Sequence, residues 1–328
     1  MMVFEKYFDG DIKDKPKLLL TGGGGAGSEA LARLWHGKYE VHFCDADAAA
    51  KPCFITDSMW HHIPMANDPC FIESLLALYR RLQIDLIIPG VDEELLLIAR
   101  DFRAHGLNVL LPSEDFITTH TDKWFSNSFL HEKGIPVPRT QLCDFSIKTD
   151  FPSILKPRVG RGSRNVIVVR SEPEIQAHLL LSRMEPKDFI LQELLTGQEF
   201  TVMMVADRMQ QLRAVVPVLV EKKKGITLRA YTLRDDAVVK ACQAIHAACP
   251  VSGSYNIQLI KAANGDVLPF EINPRISTTA CLGLAAGIDF VDIYRDMEVV
   301  NSTKLNHLLL EFREFVTLRR SWYNDITF

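Results

Sequence analysis

The sequence predicts an α/β protein in which a doubly wound amino-terminal domain precedes a region of antiparallel hairpins. Residues 17–112 alternate short apolar runs with helix-like segments, which indicates a parallel sheet covered by helices on both faces. Further along, Asn264-Gly265 separates two apolar alternations, the strongest short-range signal of a β-hairpin. A chain of 328 residues is too long for one compact α/β unit, so we expect two or three subdomains.

The amino-terminal domain is predicted to cover residues 1–112. Its predicted strands are Leu18–Thr21, Val41–Asp45, Leu86–Pro89 and Val109–Leu111, and its predicted helices are Ser28–His36, Pro69–Leu82 and Glu93–His105. Ligands of such sheets bind at the carboxyl ends of the strands. Asp92 and Glu93 follow one strand end and are candidates to hold a substrate amino group, although helix N-caps also favour Asp.

The first turn of this domain carries a glycine fingerprint. Gly22, Gly24 and Gly27 fit the pattern G-x-G-x-x-G, and Asp45 ends a second strand about twenty residues further on. This pattern is typical of dinucleotide-binding domains and leaves an NAD-dependent oxidoreductase open. However, none of the seven tyrosines is followed by Lys four positions on, which is the pair that short-chain dehydrogenases use as their acid.

A central segment, residues 113–188, is predicted to form a smaller subdomain. Asp122 is expected to cap a helix that runs to about Lys133 and stops at Gly134 and the prolines after it.

A basic glycine loop follows the short apolar strand that ends at Lys156. The loop contains Gly160, Gly162 and Ser163 among Arg158, Arg161 and Arg164. Glycines let backbone N–H groups approach phosphate oxygens, and nearby cations neutralise the phosphate charge. It is not a Walker loop, because no Gly-Lys-Ser/Thr follows at the required spacing. An ordinary solvated hairpin is the alternative interpretation.

The last part of the chain, residues 189–328, is predicted to carry a metal site on a hairpin. Glu271 and Asn273 are two residues apart and face the same side of a strand. If the hairpin turn has two residues, Gln258 falls opposite Glu271, and Asn256 falls opposite Asn273. Oxygen ligands with a single carboxylate suit Mg²⁺ that is held largely by nucleotide phosphates. A polar surface hairpin is the alternative, and a longer turn would shift the register.

In combination, these motifs resemble the ATP-grasp ligases, and most closely the carbamoyl-phosphate synthetase-like branch with its small single-module relatives. The resemblance extends from the first glycine loop to about Asp292. The motifs that carry it are Thr121-Asp122-Lys123, Ile154-Leu-Lys-Pro157, the Gly/Arg loop, Gln192-Glu-Leu-Leu-x-Gly-x-Glu199-Phe200, Gln258 and Glu271-x-Asn-Pro-Arg275. It implies a Rossmann-like pre-ATP-grasp domain followed by a two-subdomain ATP-grasp fold with an antiparallel sheet.

By this resemblance, the matching residues divide into a group that binds ATP and a group that handles metal and phosphoryl transfer. The first group comprises Lys123, Lys156, Gly160, Arg161, Gly162 and Ser163 at the phosphates, Glu193, Leu194 and Leu195 at the adenine, and Glu199 at the ribose. The second comprises Gln258, Glu271 and Asn273, which would ligate two Mg²⁺ ions or Mn²⁺. Lys156, Asn273 and Arg275 are expected to act in catalysis, with Arg275 over the γ-phosphoryl group.

The resemblance implies a ligase that joins a small carboxylate to an amine or a thiol through an acyl phosphate, releasing ADP and phosphate. A nucleotide-binding regulatory protein without turnover is a further interpretation. Around Glu221–Gly225 and Arg229 the family usually has a longer substrate-side loop, which leaves the substrate contacts open. Lys222–Lys224 are interpreted as a solvated charge run. A homodimer is one assembly compatible with the sequence.

Composition restricts the expected partners and location. A formal net charge of −4 argues against nucleic acid or a membrane surface as the main partner. The seven scattered cysteines, without C-x-x-C pairs, are typical of reduced thiols. No apolar run resembles a signal peptide or membrane span, so we expect a cytoplasmic protein. At the end of the chain, a helix-like pattern to about Met297 precedes an aromatic and basic run, Phe312–Tyr323, expected to be a packed strand or a dimer contact.

Overall fold

The computed structural model describes residues 15–146, 149–295 and 309–321. The chain divides into two compact units, Met1–Val109 and Leu110–Phe328. The predicted α/β class is confirmed, because the first unit carries a parallel sheet and the second carries antiparallel sheets. The finer division at residues 112 and 188 stays a prediction. None of the helices described is long and apolar enough to cross a membrane.

The first unit contains a four-stranded parallel sheet. Its strands are β1 (Lys17–Thr21), β2 (Glu40–Asp45), β3 (Trp60–His62) and β4 (Leu86–Ile88), and its helices are α1 (Ser28–Leu34), α2 (Phe71–Leu82) and α3 (Leu95–Ala104). The order is β3-β2-β1-β4, and the central β1 is a buried apolar run, as expected where helices cover both faces. The predicted strand Val109–Leu111 is wrong, since Val109 makes only an isolated bridge with Ile87. β3 is not predicted because it lacks apolar alternation.

The glycine turn after β1 is closed by atoms of its own unit. A Cβ at Gly24 would lie 2.5 Å from the Cβ of Ala50, and a Cβ at Gly22 would lie 2.6 Å from a methyl carbon of Val91. The Gly24 N–H donates to Asp45 Oδ2 over 2.9 Å, so the carboxylate of the fingerprint already has a partner within the turn. Packing inside the unit therefore accounts for Gly22 and Gly24.

The second unit begins with a small sheet. Its strands are β5 (Thr140–Leu142), β6 (Ser153–Pro157), β7 (Ile167–Val169) and β8 (Phe189–Glu193), and its helices are α4 (Glu114–Thr121), α5 (Lys123–Glu132) and α6 (Glu172–Ser182). The strands pair antiparallel in the order β5-β8-β6-β7. The helix predicted after Asp122 is confirmed as α5, because Asp122 Oδ1 accepts hydrogen bonds from the N–H groups of Trp124 and Phe125. A helix that is not predicted, α4, precedes it and is capped by Ser113.

The position of β8 corrects the sequence analysis, which grouped the chain from Phe189 onward with the metal-bearing strands. β8 pairs with β5 and β6 in the small sheet. The reason is packing, since Phe189 and Leu191 join Leu155 and Val169 in the core of that sheet.

A six-stranded antiparallel sheet forms the larger part of the second unit. Its strands are β9 (Gln198–Ala206), β10 (Leu212–Lys224), β11 (Ile226–Thr232), β12 (Gly253–Lys261), β13 (Val267–Asn273) and β14 (Thr317–Arg319), and the helices beside it are α7 (Asp236–Ala248), α8 (Ala280–Ala285) and α9 (Phe290–Arg295). The strand order is β13-β12-β9-β10-β11-β14.

The two faces of this large sheet differ in chemistry. On one face, Val202 of β9 and Ile257 of β12 pack with Ile245 of α7 in the main core. Because successive strand residues point to opposite faces, the neighbouring Gln258 and Glu271 lie on the other face. That polar face carries the candidate site.

The described terminal segment, residues 309–321, extends the large sheet. β14 pairs with β11, and the rings of Tyr231 and Phe315 stack with their centroids 6.1 Å apart. A packed strand within Phe312–Tyr323 is thus confirmed for the described part of that run. The predicted helix to Met297 is present as α9, and its remainder lies outside the described residues.

Candidate active site

The β12–β13 hairpin brings the predicted metal ligands together, although its turn differs from the prediction. The pairs Asn256–Asn273 and Gln258–Glu271 are confirmed. The turn is longer than two residues, because the N–H of Ala262 donates to the carbonyl of Asp266 over 2.8 Å.

A β-bulge compensates for that extra turn residue. Beyond the Gln258–Glu271 pair, Leu259 pairs with Pro269, so Phe270 is an additional residue in β13. The longer turn shifts the register by one residue and the bulge shifts it back. The oxygen-bearing side chains therefore face each other as predicted.

The bulge also supplies a hydrogen-bond acceptor for Lys156. The Lys156 ammonium on β6 donates to Gln192 Oε1 over 2.9 Å and to the Phe270 carbonyl over 3.1 Å. Its Nζ also lies 5.4 Å from the centroid of the Phe270 ring. Lys156 is only 5% exposed. This burial lowers the pKa of Lys156 to about 7, against the raising effect of Glu271.

Lys123 reaches the same place from the start of α5. Its Nζ lies 3.3 Å from Glu271 Oε1 and donates to the Gly160 carbonyl over 2.8 Å. The start of the helix is fixed by Asp122, whose carboxylate also forms an ion pair with Arg158 at 2.8 Å. The residue pattern Asp122-Lys123 thus caps a helix and places an ammonium group beside Glu271.

Glu271 is surrounded by positive charge. Burial alone would raise the pKa of Glu271, but the ammonium groups of Lys123, Lys156 and Lys223 lower it below its ordinary value. The carboxylate therefore stays ionised at neutral pH.

Lys222–Lys224 are exposed, as predicted for a solvated charge run, but Lys223 also contacts the candidate site. Its Nζ donates to Glu199 Oε1 over 2.6 Å and to Gln258 Oε1 over 2.9 Å. Consecutive strand residues alternate between faces, so at least one lysine of the run had to face the side that carries Glu199. Because the β10–β11 pairing contains bulges at Val220–Lys223, the sequence alone does not show which lysine faces that side.

The remaining residues on the sheet line the same polar face. Asn273 is buried, and its carbonyl accepts from the Arg275 N–H over 2.8 Å. Arg275 is half-buried and donates to the Ile276 carbonyl. Asn256 Oδ1 accepts from Thr201 Oγ1, while its buried Nδ2 has no hydrogen-bond partner within the described structure. Such an amide is usually satisfied by a ligand or water.

The residues predicted to hold the adenine lie on the β8–β9 connection. Glu193 Oε2 accepts from Arg139 Nε over 2.8 Å. Leu194 is exposed and Leu195 is half-buried. The connection leads directly to Glu199 at the start of β9.

The glycine loop connects β6 to β7 and is largely exposed. It contains the predicted phosphate residues Gly160, Arg161, Gly162 and Ser163. The φ angles of Gly160 and Gly162 are +143° and +68°, conformations that favour glycine. The Gly162 carbonyl lies 3.4 Å from the position of a Cβ at Gly225, so the loop approaches the turn of the β10–β11 hairpin.

The donor set fits Mg²⁺ bound together with phosphates. No group of three His, Cys, Asp or Glu side chains in the described parts of the chain is arranged to hold a metal. One carboxylate, Glu271, and the amide oxygens of Gln258 and Asn273 provide hard oxygen ligands of the kind that Mg²⁺ prefers. The structure brings Lys123, Lys156, Gln258 and Glu271 together, and the roles assigned to these residues stay predictions.

Comparisons with known proteins agree with this arrangement. Residues 185–307 match a family described as ATP-grasp in the biosynthetic pathway with Ter operon. The chain is 25% identical over 215 residues to the carbamoyl phosphate synthase large chain of Thermomicrobium roseum, covering 60% of this chain and 20% of that protein. It therefore spans about a fifth of the length of that relative.

Solved structures share the fold at low identity. An L-amino acid ligase from Bacillus licheniformis is similar with a TM-score of 0.63 at 16% identity, covering 85% of this chain and 72% of that chain. The biotin carboxylase domain of Hydrogenobacter thermophilus 2-oxoglutarate carboxylase, a dimer in complex with MgADP and bicarbonate, gives 0.63 at 15% identity, with 85% and 70% covered. The chain has the ATP-grasp fold, and the predicted resemblance to ATP-grasp proteins is confirmed.

Proposed function

We propose that this protein is an Mg²⁺-dependent ligase that uses ATP to join a small carboxylate to an amine through an acyl phosphate. The observation that carries the proposal is the convergence of Lys123, Lys156 and Lys223 on the hairpin that bears Gln258 and Glu271. Three ammonium groups beside one carboxylate and amide oxygens suit a polyphosphate with its metal. The likeness to an L-amino acid ligase supports this choice of reaction.

ATP would be held by residues from both sheets of the second unit. Lys123, Lys156 and the loop from Gly160 to Ser163 would bind the phosphates, Glu193–Leu195 the adenine, and Glu199 the ribose. Glu199 would have to exchange its bond to Lys223 for the ribose hydroxyls.

Gln258, Glu271 and Asn273 would hold two Mg²⁺ ions, or Mn²⁺ in their place. When bound, these ions neutralise phosphate charge. The rest of the transfer depends on positioning and on fixed cations, because phosphoryl transfer needs little covalent help from the protein.

In the first step, a carboxylate oxygen attacks the γ-phosphorus and the bond to the bridging oxygen breaks, which yields an acyl phosphate and ADP. In the second, the amine nitrogen attacks the acyl carbon, phosphate leaves with the bonding electron pair, and the amine loses a proton. Arg275 and Lys156 would balance the charge on the transferred group. A thiol acceptor would follow the same course.

The oxidoreductase alternative rests on the amino-terminal fingerprint. Asp45 would have to bind a ribose, yet its Oδ2 accepts the N–H of Gly24 and its Oδ1 accepts the N–H of Asp47. Both carboxylate oxygens thus serve the fold of the turn. A regulatory protein without turnover would keep the lysine cluster and differ only in activity.

The test is the release of ADP and phosphate with a panel of carboxylates and amines. We expect turnover with one pair of substrates, and we expect Glu271→Ala to reduce it by about 10²–10³-fold. Glu221→Ala is the matched control, because Glu221 is an exposed carboxylate on β10. Wild-type turnover in Glu271→Ala would contradict the assigned site.

Thermal shifts separate the alternatives. A ligase should be stabilised by Mg·ATP and an oxidoreductase by NAD. Stabilisation by Mg·ATP, with no turnover for any pair, would favour the regulatory protein.

A further inference from the structure

Two of the predicted metal ligands, Gln258 and Glu271, are in contact with lysine ammonium groups. Lys223 Nζ donates to Gln258 Oε1 over 2.9 Å. Lys123 Nζ lies 3.3 Å from Glu271 Oε1. We call these two contacts, Lys223 with Gln258 and Lys123 with Glu271, the ammonium caps.

Each ammonium cap is fixed by a second acceptor. Lys223 Nζ also donates to Glu199 Oε1 over 2.6 Å and lies 5.9 Å from the centroid of the Phe270 ring. Lys123 Nζ also donates to the Gly160 carbonyl over 2.8 Å. The side chains are therefore held at the ligands by more than one interaction.

An ammonium group and a divalent ion compete for the same oxygens. Mg²⁺ requires oxygen ligands at about 2.0–2.1 Å in nearly octahedral geometry. A lysine ammonium that donates to Gln258 or lies beside Glu271 occupies the position of the ion and adds charge repulsion. The repulsion is stronger at the shielded Lys123–Glu271 contact than at the exposed Lys223–Gln258 contact.

We propose that the ammonium caps keep Mg²⁺ away from Gln258 and Glu271 until the nucleotide binds. The inference rests on the proposed function, since it requires that the polyphosphate of ATP enter this cluster. Phosphate oxygens share negative charge and are stronger acceptors than the neutral Gln258 amide oxygen. The bound nucleotide therefore attracts Lys123 and Lys223, and the oxygens of Gln258 and Glu271 become available to the metal.

This exchange makes nucleotide and metal binding mutually dependent. Whatever factor the nucleotide contributes to metal affinity, the metal contributes to nucleotide affinity, because the coupling free energy is shared. Lys223 thereby sets the order of binding without contacting the metal. It also prevents the protein from binding Mg²⁺ at this site before the nucleotide is bound.

The test measures Mn²⁺ binding to nucleotide-free protein from the electron paramagnetic resonance signal of free Mn²⁺. We expect Lys223→Met to bind Mn²⁺ about tenfold more tightly than wild type, within the usual range of coupling between sites. Lys222→Met is the matched control, because it removes the same charge from an adjacent exposed residue, and it should bind like wild type. Lys123→Met provides a second variant should Lys223→Met fail to fold.

A second titration includes a non-hydrolysable ATP analogue. The ratio of Mn²⁺ affinities with and without the analogue should be smaller in Lys223→Met than in wild type. Equal affinities of wild type, Lys222→Met and Lys223→Met for Mn²⁺ would overturn the inference, and so would an equal gain in both variants. If wild type binds no Mn²⁺ even with the analogue, the assigned metal site and the proposed function fail together.

Discussion

The two units each contain a glycine-rich candidate for nucleotide binding, and the surroundings of the glycines differ. In the first unit, a Cβ at Gly22 or Gly24 would collide with neighbouring atoms. In the second unit, a Cβ at Gly162 would meet open space within the described structure. Glycines enclosed by their own unit serve packing, whereas exposed glycines leave backbone N–H groups accessible to a ligand.

The charges beside the two glycine segments differ in the same way. The turn in the first unit is bound to the carboxylate of Asp45, which repels phosphate. The loop in the second unit is bound to the ammonium of Lys123 and lies near the lysine cluster. A glycine pattern alone therefore does not identify a phosphate site. The charge of the side chains bound to the glycine segment distinguishes the two cases.

The largest effect is expected from the buried lysine. Lys156→Met leaves Gln192 Oε1 and the Phe270 carbonyl without their donor and removes a cation from the phosphates. We expect kcat/KM for ATP to fall by about 10²–10³-fold, measured by steady-state release of ADP. Asp45→Asn in the other unit is the control and should leave kcat/KM unchanged. A larger loss of kcat/KM in Asp45→Asn than in Lys156→Met would contradict this comparison of the two units.

Alanine in place of single glycines should separate packing from binding. Gly24→Ala places a Cβ 2.5 Å from the Cβ of Ala50, so we expect the free energy of unfolding to fall by about 1–3 kcal/mol with no change in ATP affinity. Gly162→Ala costs about 1–2 kcal/mol for its positive φ and should also weaken ATP binding. Urea denaturation and calorimetric titration with ATP measure the two quantities. Weaker ATP binding in Gly24→Ala alone would contradict this assignment.

The smallest effect is a proton taken up on binding. The pKa of Lys156 is lowered by burial to about 7, and bound phosphate would raise it, because an opposite charge favours the ammonium form. At about pH 8, Lys156 is then mostly neutral in the empty protein and charged in the complex, so ATP binding takes up close to one proton. Below about pH 6 both states are charged and the uptake should vanish.

Calorimetry in buffers of different ionisation enthalpy measures this uptake. Wild type that binds ATP at pH 8 with no proton uptake would show that Lys156 does not meet the phosphates. The turn of the first unit carries no comparable lysine, so Gly24→Ala should keep the wild-type value.

Much of the site could be predicted because its residues follow strand periodicity. Glu271 and Asn273 share a face whatever the turn length, and Gln258 was placed opposite Glu271 correctly. That success depended on two irregularities that cancel, a longer turn and the bulge at Phe270. Neither is visible in the sequence, since Phe270 is an ordinary strand residue by type.

The errors have a common physical origin in tertiary contacts. Lys223 is exposed as predicted, but its contacts with Glu199 and Gln258 could not be predicted, because the bulges in β10–β11 have no local sequence pattern. β8 was grouped with the wrong sheet because a short apolar run of this kind fits either one. Only its packing against Leu155 and Val169 selects the small sheet.

The hydrogen bond from Lys156 to the Phe270 carbonyl has a mechanical consequence. Lys156 lies on the small sheet and Phe270 on the large one, so this hydrogen bond links the two sheets. Moving the small sheet away from the large one would break this hydrogen bond and the contact between the Lys156 ammonium and the Phe270 ring. If the ATP phosphates draw Lys156 away, the hydrogen bond to Phe270 breaks. ATP binding would then determine how easily the two sheets separate.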